Sequence, residues 1–236
     1  MKKIISVFVC IFMGAVAFAQ TADEIINKYA DAIGGREKIQ GIKNLYMEGT
    51  VDAQGQQIVI KIWRVNKKAM RSEFTINGMT IYSIITNDSG WSFNPLAGQK
   101  TAEPMTADQV KTAQPDLDIA EVLLNYKEKG YKVAYKGKDD VDGTDAFKLE
   151  VTISDSNIET YFIDPTSYYI LREKSKTISN GKTDEGQQDF SNYQKTADGY
   201  VFPMAVGSEQ GAAKFTVVKI NTDFDPALFK PSPAKQ

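Results

Sequence analysis

Histidine is absent from all 236 residues, and cysteine occurs once, at position 10. Without imidazole, a Ser-His-Asp triad, the commonest general base and every histidine-ligated zinc or iron site are excluded. Catalysis would have to run on carboxylates, Lys, Tyr or Ser alone. Cys10 has no second thiol to pair with, and Val9 stands where a lipid-modified cysteine needs a small residue. No glycine-rich phosphate loop, G-x-S-x-G elbow or S-x-x-K sequence occurs. Basic tracts are missing too. With 28 Lys and Arg against 30 Asp and Glu, the formal net charge is −2, which disfavours nucleic acid and anionic headgroups as partners.

What is present begins with an address. Lys2 and Lys3, the apolar run from Ile4 to Phe18, and Ala17-Phe18-Ala19 ahead of Gln20 have the pattern of a cleavable secretory signal over residues 1–19. The run is too short to span a hydrocarbon layer of about 30 Å, and polar Thr21, Asp23 and Glu24 follow at once. Cys10 leaves with this segment. Residues 20–230 read as one domain and 231–236 as a flexible tail.

The domain opens with an amphipathic helix. Thr21 and Glu24 have capping-box spacing, Ile25, Ile26, Tyr29 and Ile33 form the apolar stripe, and Gly34-Gly35 ends it. A short turn, Arg36 to Gln40, follows. From Leu45 to Phe93 the period changes from 3.6 to 2: Ile58, Ile60 and Ile62 alternate with Val59, Lys61 and Trp63, and Met70, Ser72, Phe74 and Ile76 with Arg71, Glu73 and Thr75. Asn77-Gly78 is a two-residue hairpin turn.

A helical insert follows. Thr106–Gln114 is modestly amphipathic, and beyond Pro115 the segment Asp116–Lys129 is apolar around most of a helix, with Leu117, Ile119, Leu123 and Leu124. Strands resume at Tyr131–Lys136, Ala146–Ser154, Ile158–Asp164, Tyr168–Lys176, Gln187–Gln194, Tyr200–Val206 and Phe215–Asn221. The sum predicts an α+β fold: a large curved antiparallel sheet, an incomplete β-barrel of about eleven strands, its concave face covered by N-terminal and central helices.

The acidic group Asp139, Asp140, Asp142 and Asp145 lacks the glycine and distal glutamate positions of a calcium loop. Asp142-Gly143 fits a hairpin turn instead. No metal, cofactor or catalytic residue is assigned.

Two stretches carry a resemblance. Trp63-Arg64-Val65-Asn66-Lys67-Lys68-Ala69-Met70-Arg71 and Asp88-Ser89-Gly90-Trp91-Ser92-Phe93-Asn94-Pro95 resemble signature segments of the LolA family of periplasmic lipoprotein carriers. The ending, with Tyr200-Val201-Phe202-Pro203 and Phe224–Pro231, looks like the secreted outer-membrane lipoprotein-sorting proteins of Bacteroidota. The resemblance implies a non-enzymatic periplasmic carrier that shields lipoprotein acyl chains, or a similar lipid, in an apolar cavity for delivery to the outer membrane. It also implies transport partners in the inner and outer membranes, with the protein itself a monomer. Arg64 matches the family's functional arginine and is a candidate latch, donating to carbonyls at the end of a covering helix.

The expected ligand-binding residues are Arg64, Ile58, Ile60, Ile62, Met70, Phe74, Ile76, Trp91, Phe93, Leu123 and Leu124. A cavity of several hundred Å³ beneath Asp116–Lys129 is the expected container. Rival readings are a same-fold binder or sensor of another hydrophobic ligand, a carboxylate-dependent envelope hydrolase, and a filled scaffold without a ligand.

Overall fold

The computed structural model describes residues 17–53, 55–179, 181–209 and 211–231. The signal segment falls mostly outside them. Helix α1 (Ala17–Ala32) buries Ile25, Ile26, Tyr29 and Ile33 and precedes α2 (Arg36–Gln40). It starts at Ala17, ahead of the Thr21 expected to open it. Gly34, with φ 120°, ends α1 where a Cβ would lie 2.8 Å from the Gly199 carbonyl oxygen. Only glycine permits that approach of backbone to backbone.

Strands β1 (Asn44–Ala53), β2 (Gln56–Val65), β3 (Ala69–Ile76), β4 (Met79–Thr86), β5 (Gly90–Phe93) and β6 (Glu103–Pro104) form a first meander. A second contains β7 (Lys132–Val141), β8 (Thr144–Ser154), β9 (Asn157–Ile163), β10 (Ile170–Ser179), β11 (Lys182–Lys195), β12 (Val201–Ser208) and β13 (Gly211–Ile220). All thirteen strands make one open sheet in the order β6-β5-β4-β3-β2-β1-β13-β12-β11-β10-β9-β8-β7. The meanders meet along β1 and β13, paired from Leu45↔Ile220 to Asp52↔Ala212. The sheet exceeds the expected count of about eleven partly through β6, a two-residue strand too short to register as alternation. At Asp142-Gly143, both residues have positive φ, as the expected β7–β8 hairpin requires. Nearby, Asp139 pairs with Lys148 at 2.8 Å and Asp145 with Lys138 at 3.1 Å. Among the described residues no group of three or more acidic side chains is placed to hold a metal ion.

The connection from β6 to β7 carries the chain from one sheet edge to the other. Helix α3 (Ala107–Ala113) has a capping box between Thr106 and Gln109. The single helix expected over Asp116–Lys129 is instead a 3-10 turn at Gln114–Leu117, an extended Asp118, and a short α4 (Glu121–Asn125). Asp118 is the cause: its carboxylate accepts from the Ala120 N–H and from Asn125 Nδ2, both at 3.1 Å, and pairs with Lys129 at 2.8 Å. A buried carboxylate must be satisfied, and the chain turns around it rather than continuing as a helix.

This strap, residues 114–126, packs Ile119, Leu123 and Leu124 with α1, α2 and inner residues of β8, β9, β10 and β12 into the main core. On the outer face, the turn Pro226–Phe229 lies against β3 and β4. Arg71, 7% exposed, holds it by donating to the Leu228 carbonyl at 3.0 Å; its guanidinium also pairs with Glu73 at 2.7 Å and sits 4.1 Å from the Tyr82 ring centroid.

Candidate functional site

Register decides which predicted residues can meet. Directly opposed residues of paired strands share a face. Ile60 lies opposite Gly49 and Phe74, Ile62 opposite Met47 and Ser72, and Arg64 opposite Leu45 and Met70. Ile58 and Ile76 continue the same parity, so seven of the expected residues share the inner face: Ile58, Ile60, Ile62, Arg64, Met70, Phe74 and Ile76.

Trp91 and Phe93 do not join them. Trp91 is opposite Ile84, which is opposite Arg71; Phe93 is opposite Tyr82, which is opposite Glu73. Both therefore belong to the outer face, where Phe93 packs with Tyr82 and Ile84, flanked by Trp91 and Phe229. Leu123 and Leu124 are elsewhere again, buried in the main core beneath the strap at 0% and 3% exposure.

The inner face carries an apolar trough across the junction of the meanders. Ile60, Met204 and Phe215 are buried at its floor, with Met47, Val51, Ile62, Phe74, Phe202 and Val206 partly exposed around them. Its β12 and β13 residues are missing from the sequence-based set. Their alternation is legible, but their adjacency to β1 depends on a pairing between distant segments. Gly49 makes that pairing possible at a β-bulge: a Cβ there would lie 2.1 Å from the Lys214 carbonyl oxygen and 2.7 Å from Phe215 Cα.

The space beneath the strap is small. A crevice of about 50 Å³ lies among Tyr29, Ile33, Ile119, Leu124, Phe190 and Phe202. Ligand pockets typically hold about 300–1,000 Å³, and this crevice among the described residues is well below both that range and the several hundred Å³ expected there. Leu123, Leu124 and their neighbours occupy the volume.

Polar contacts tie the strap at both ends. On the β2–β3 side, Asn66 Oδ1 accepts from the Ile119 N–H at 3.1 Å and the Lys67 N–H donates to the Leu117 carbonyl at 2.8 Å. On the α2 side, Arg36 donates to the Leu124 carbonyl, and Gln40 Nε2 donates to Asn125 Oδ1 at 2.8 Å. The carbonyl near the end of α4 thus takes a donor from Arg36, a residue the sequence reading did not single out. Arg64 acts electrostatically on Asp116: desolvation pushes that carboxyl above the ordinary range, and the Arg64 charge draws it back. For Asp118, burial also acts upward, but Lys129, the Ala120 N–H and Lys67 together hold the carboxyl below its ordinary value.

No protein-family model and no curated protein sequence matches the chain. Solved structures do. A LolA superfamily protein from Nitrosomonas europaea is 13% identical with a TM-score of 0.56, over 90% of this chain and 97% of its own. An outer membrane lipoprotein-sorting protein domain from Vibrio parahaemolyticus is 13% identical with a TM-score of 0.51, over 88% of this chain and 97% of its own. The fold is LolA-like.

Proposed function

We propose that this LolA-like chain is a non-enzymatic periplasmic carrier that receives acyl chains of lipoproteins, or of a similar lipid, for delivery to the outer membrane. The observation that carries this reading is the apolar trough of β1–β3 and β12–β13, partly exposed on the inner face of a sheet whose opposite face at β2 and β3 bears Lys61, Arg71 and Glu73. Among the described residues, no helix is long and apolar enough to cross a membrane.

Energy explains why such a surface suits transport. Burying a methylene is worth about 0.8 kcal/mol, so a sixteen-carbon chain gains on the order of 10 kcal/mol before ordering costs. A carrier must offset part of that gain to release its cargo. Closing a lid in the empty state lowers net affinity by the closure energy. The strap meets that need: its inner side is packed, and its ends are held by discrete contacts from Arg36, Gln40, Asn66 and Lys67. Loading would begin in the trough and extend beneath the strap as those contacts part.

The test is purification from the native envelope, followed by mass spectrometry of co-purifying lipids and lipoproteins. Wild type should carry acyl species; Phe74→Asp, which puts a carboxylate into the trough, should lose them, and Arg64→Leu should change the amount retained. Ligand-free preparations of the wild type, isolated at endogenous level without detergent, would overturn the reading.

A further inference from the structure

The trough has a polar neighbour of distinct chemistry. Along β10–β12 the inner face changes character: Glu173 lies opposite Gln188, and Gln188 opposite Ser208. Together with Ser175 and Glu209 these line an open pocket of about 240 Å³. Val206, a trough residue, is two positions from Ser208 on β12 and so shares its face. An amphiphile whose chains fill the trough would therefore set its head at this wall.

The wall has a sign. Its lining contains Glu173 and Glu209 and no Lys or Arg, and Glu185 at its edge is already engaged by Lys176. The lysines of β10, Lys174 and Lys176, alternate with Glu173 and Ser175 and so are on the opposite face, where Lys176 pairs with Glu185 at 3.4 Å. Serine and glutamine side chains can accept from an ammonium group, and the carboxylates attract it. A phosphate brought to the same place would meet carboxylates and no cation.

Resting on the carrier reading, we propose that the trough takes a diacylated peptide whose N-terminal α-amine is free, with that ammonium seated against Glu173, Gln188 and Ser208. An ethanolamine phospholipid is the poorer fit because its phosphate travels with its amine. A fully acylated peptide has no cation to place.

Calorimetric titration of the purified mature chain with three probes tests this: a synthetic diacylglyceryl-cysteine peptide with a free amine, the same peptide N-acetylated, and phosphatidylethanolamine of equal chain length. The free-amine peptide should bind about tenfold more tightly than its acetylated twin, about 1.4 kcal/mol, and the ratio should shrink with added salt. Glu173→Gln should lower the ratio at least about threefold and leave the acetylated peptide's affinity unchanged. Ser208→Lys, at an exposed rim position, should reverse the preference without depending on Glu173. Equal affinity for the two peptides, or a ratio indifferent to both substitutions, would overturn the head-group inference alone. Failure of all three probes to bind would overturn the carrier reading with it.

Discussion

Leu123 separates a packed core from a loosely seated lid. Its side chain is 0% exposed, on α4, in the same cluster as Ile26, Tyr29 and Leu149. Leu123→Ala removes three carbon groups, worth about 2.4 kcal/mol at roughly 0.8 each. The void adds about 24 cal/mol per Å³ that the surroundings fail to refill, so some 30–40 Å³ left open contributes close to 1 kcal/mol more. The expected loss is about 3 kcal/mol. For a domain of this size that lowers Tm by roughly 6–12 °C. Guanidinium unfolding of the ligand-free protein should show the midpoint falling with the slope unchanged. A loss under about 1 kcal/mol at unchanged slope would refute the reasoning, because it would mean the strap's apolar side contributes little packing in the empty state.

Asp118 sets a pH dependence. Its folded carboxyl is held below its ordinary value of 3.8, so the stability it contributes is complete above that value and is lost as pH falls through the lower, folded one. Asp118→Asn should be less stable than wild type at pH 7 and lose less on acidification below about pH 4, as followed by thermal melts across pH. Arg36→Ala should leave the Leu124 carbonyl without this charged donor and speed hydrogen exchange of strap amides by about tenfold, while β8 and β9 amides are unchanged. Gly49→Ala, whose Cβ would meet the Lys214 carbonyl oxygen at 2.1 Å, should cost more than about 3 kcal/mol in urea unfolding. A loss under 1 kcal/mol would refute the close approach of β1 to β13.

Much of this architecture is legible in the residues. Alternation through Ile58–Ile62 and Met70–Ile76 places those side chains on one face, as the ladder pairing does. Asn77-Gly78 and Asp142-Gly143 mark hairpins that exist, each with two positive φ angles. Parity, however, is defined only within a strand. The loop Asn87–Ser89 resets it, and the pairing of Ile85 with Gly90 puts Trp91 and Phe93 outside. The break at Asp118 is hidden for another reason. Its neighbours are apolar enough for a helix, and the partners that make a turn preferable, Asn125 and Lys129, are recognisable only once the chain has folded around the carboxylate. The trough's Met204 and Phe215 depend on the β1–β13 junction, for which no local signal exists.

That junction also governs how the molecule can form. Within each meander, neighbouring strands are mostly joined by tight turns, but β1 and β13 bring together residues such as Leu45 and Ile220 from opposite ends of the domain. Closing a loop costs about 0.6 kcal/mol for each doubling of its length, so this pairing costs roughly 3–4 kcal/mol more in entropy than a short hairpin. Such distant contacts slow folding. The two meanders are therefore expected to assemble first and join last, leaving the β1 and β13 edges unpaired in the intermediate. Until they join, Ile60 and the Met204–Phe215 pair lie on separate halves of the sheet, and the trough floor comes into being only with the final zippering.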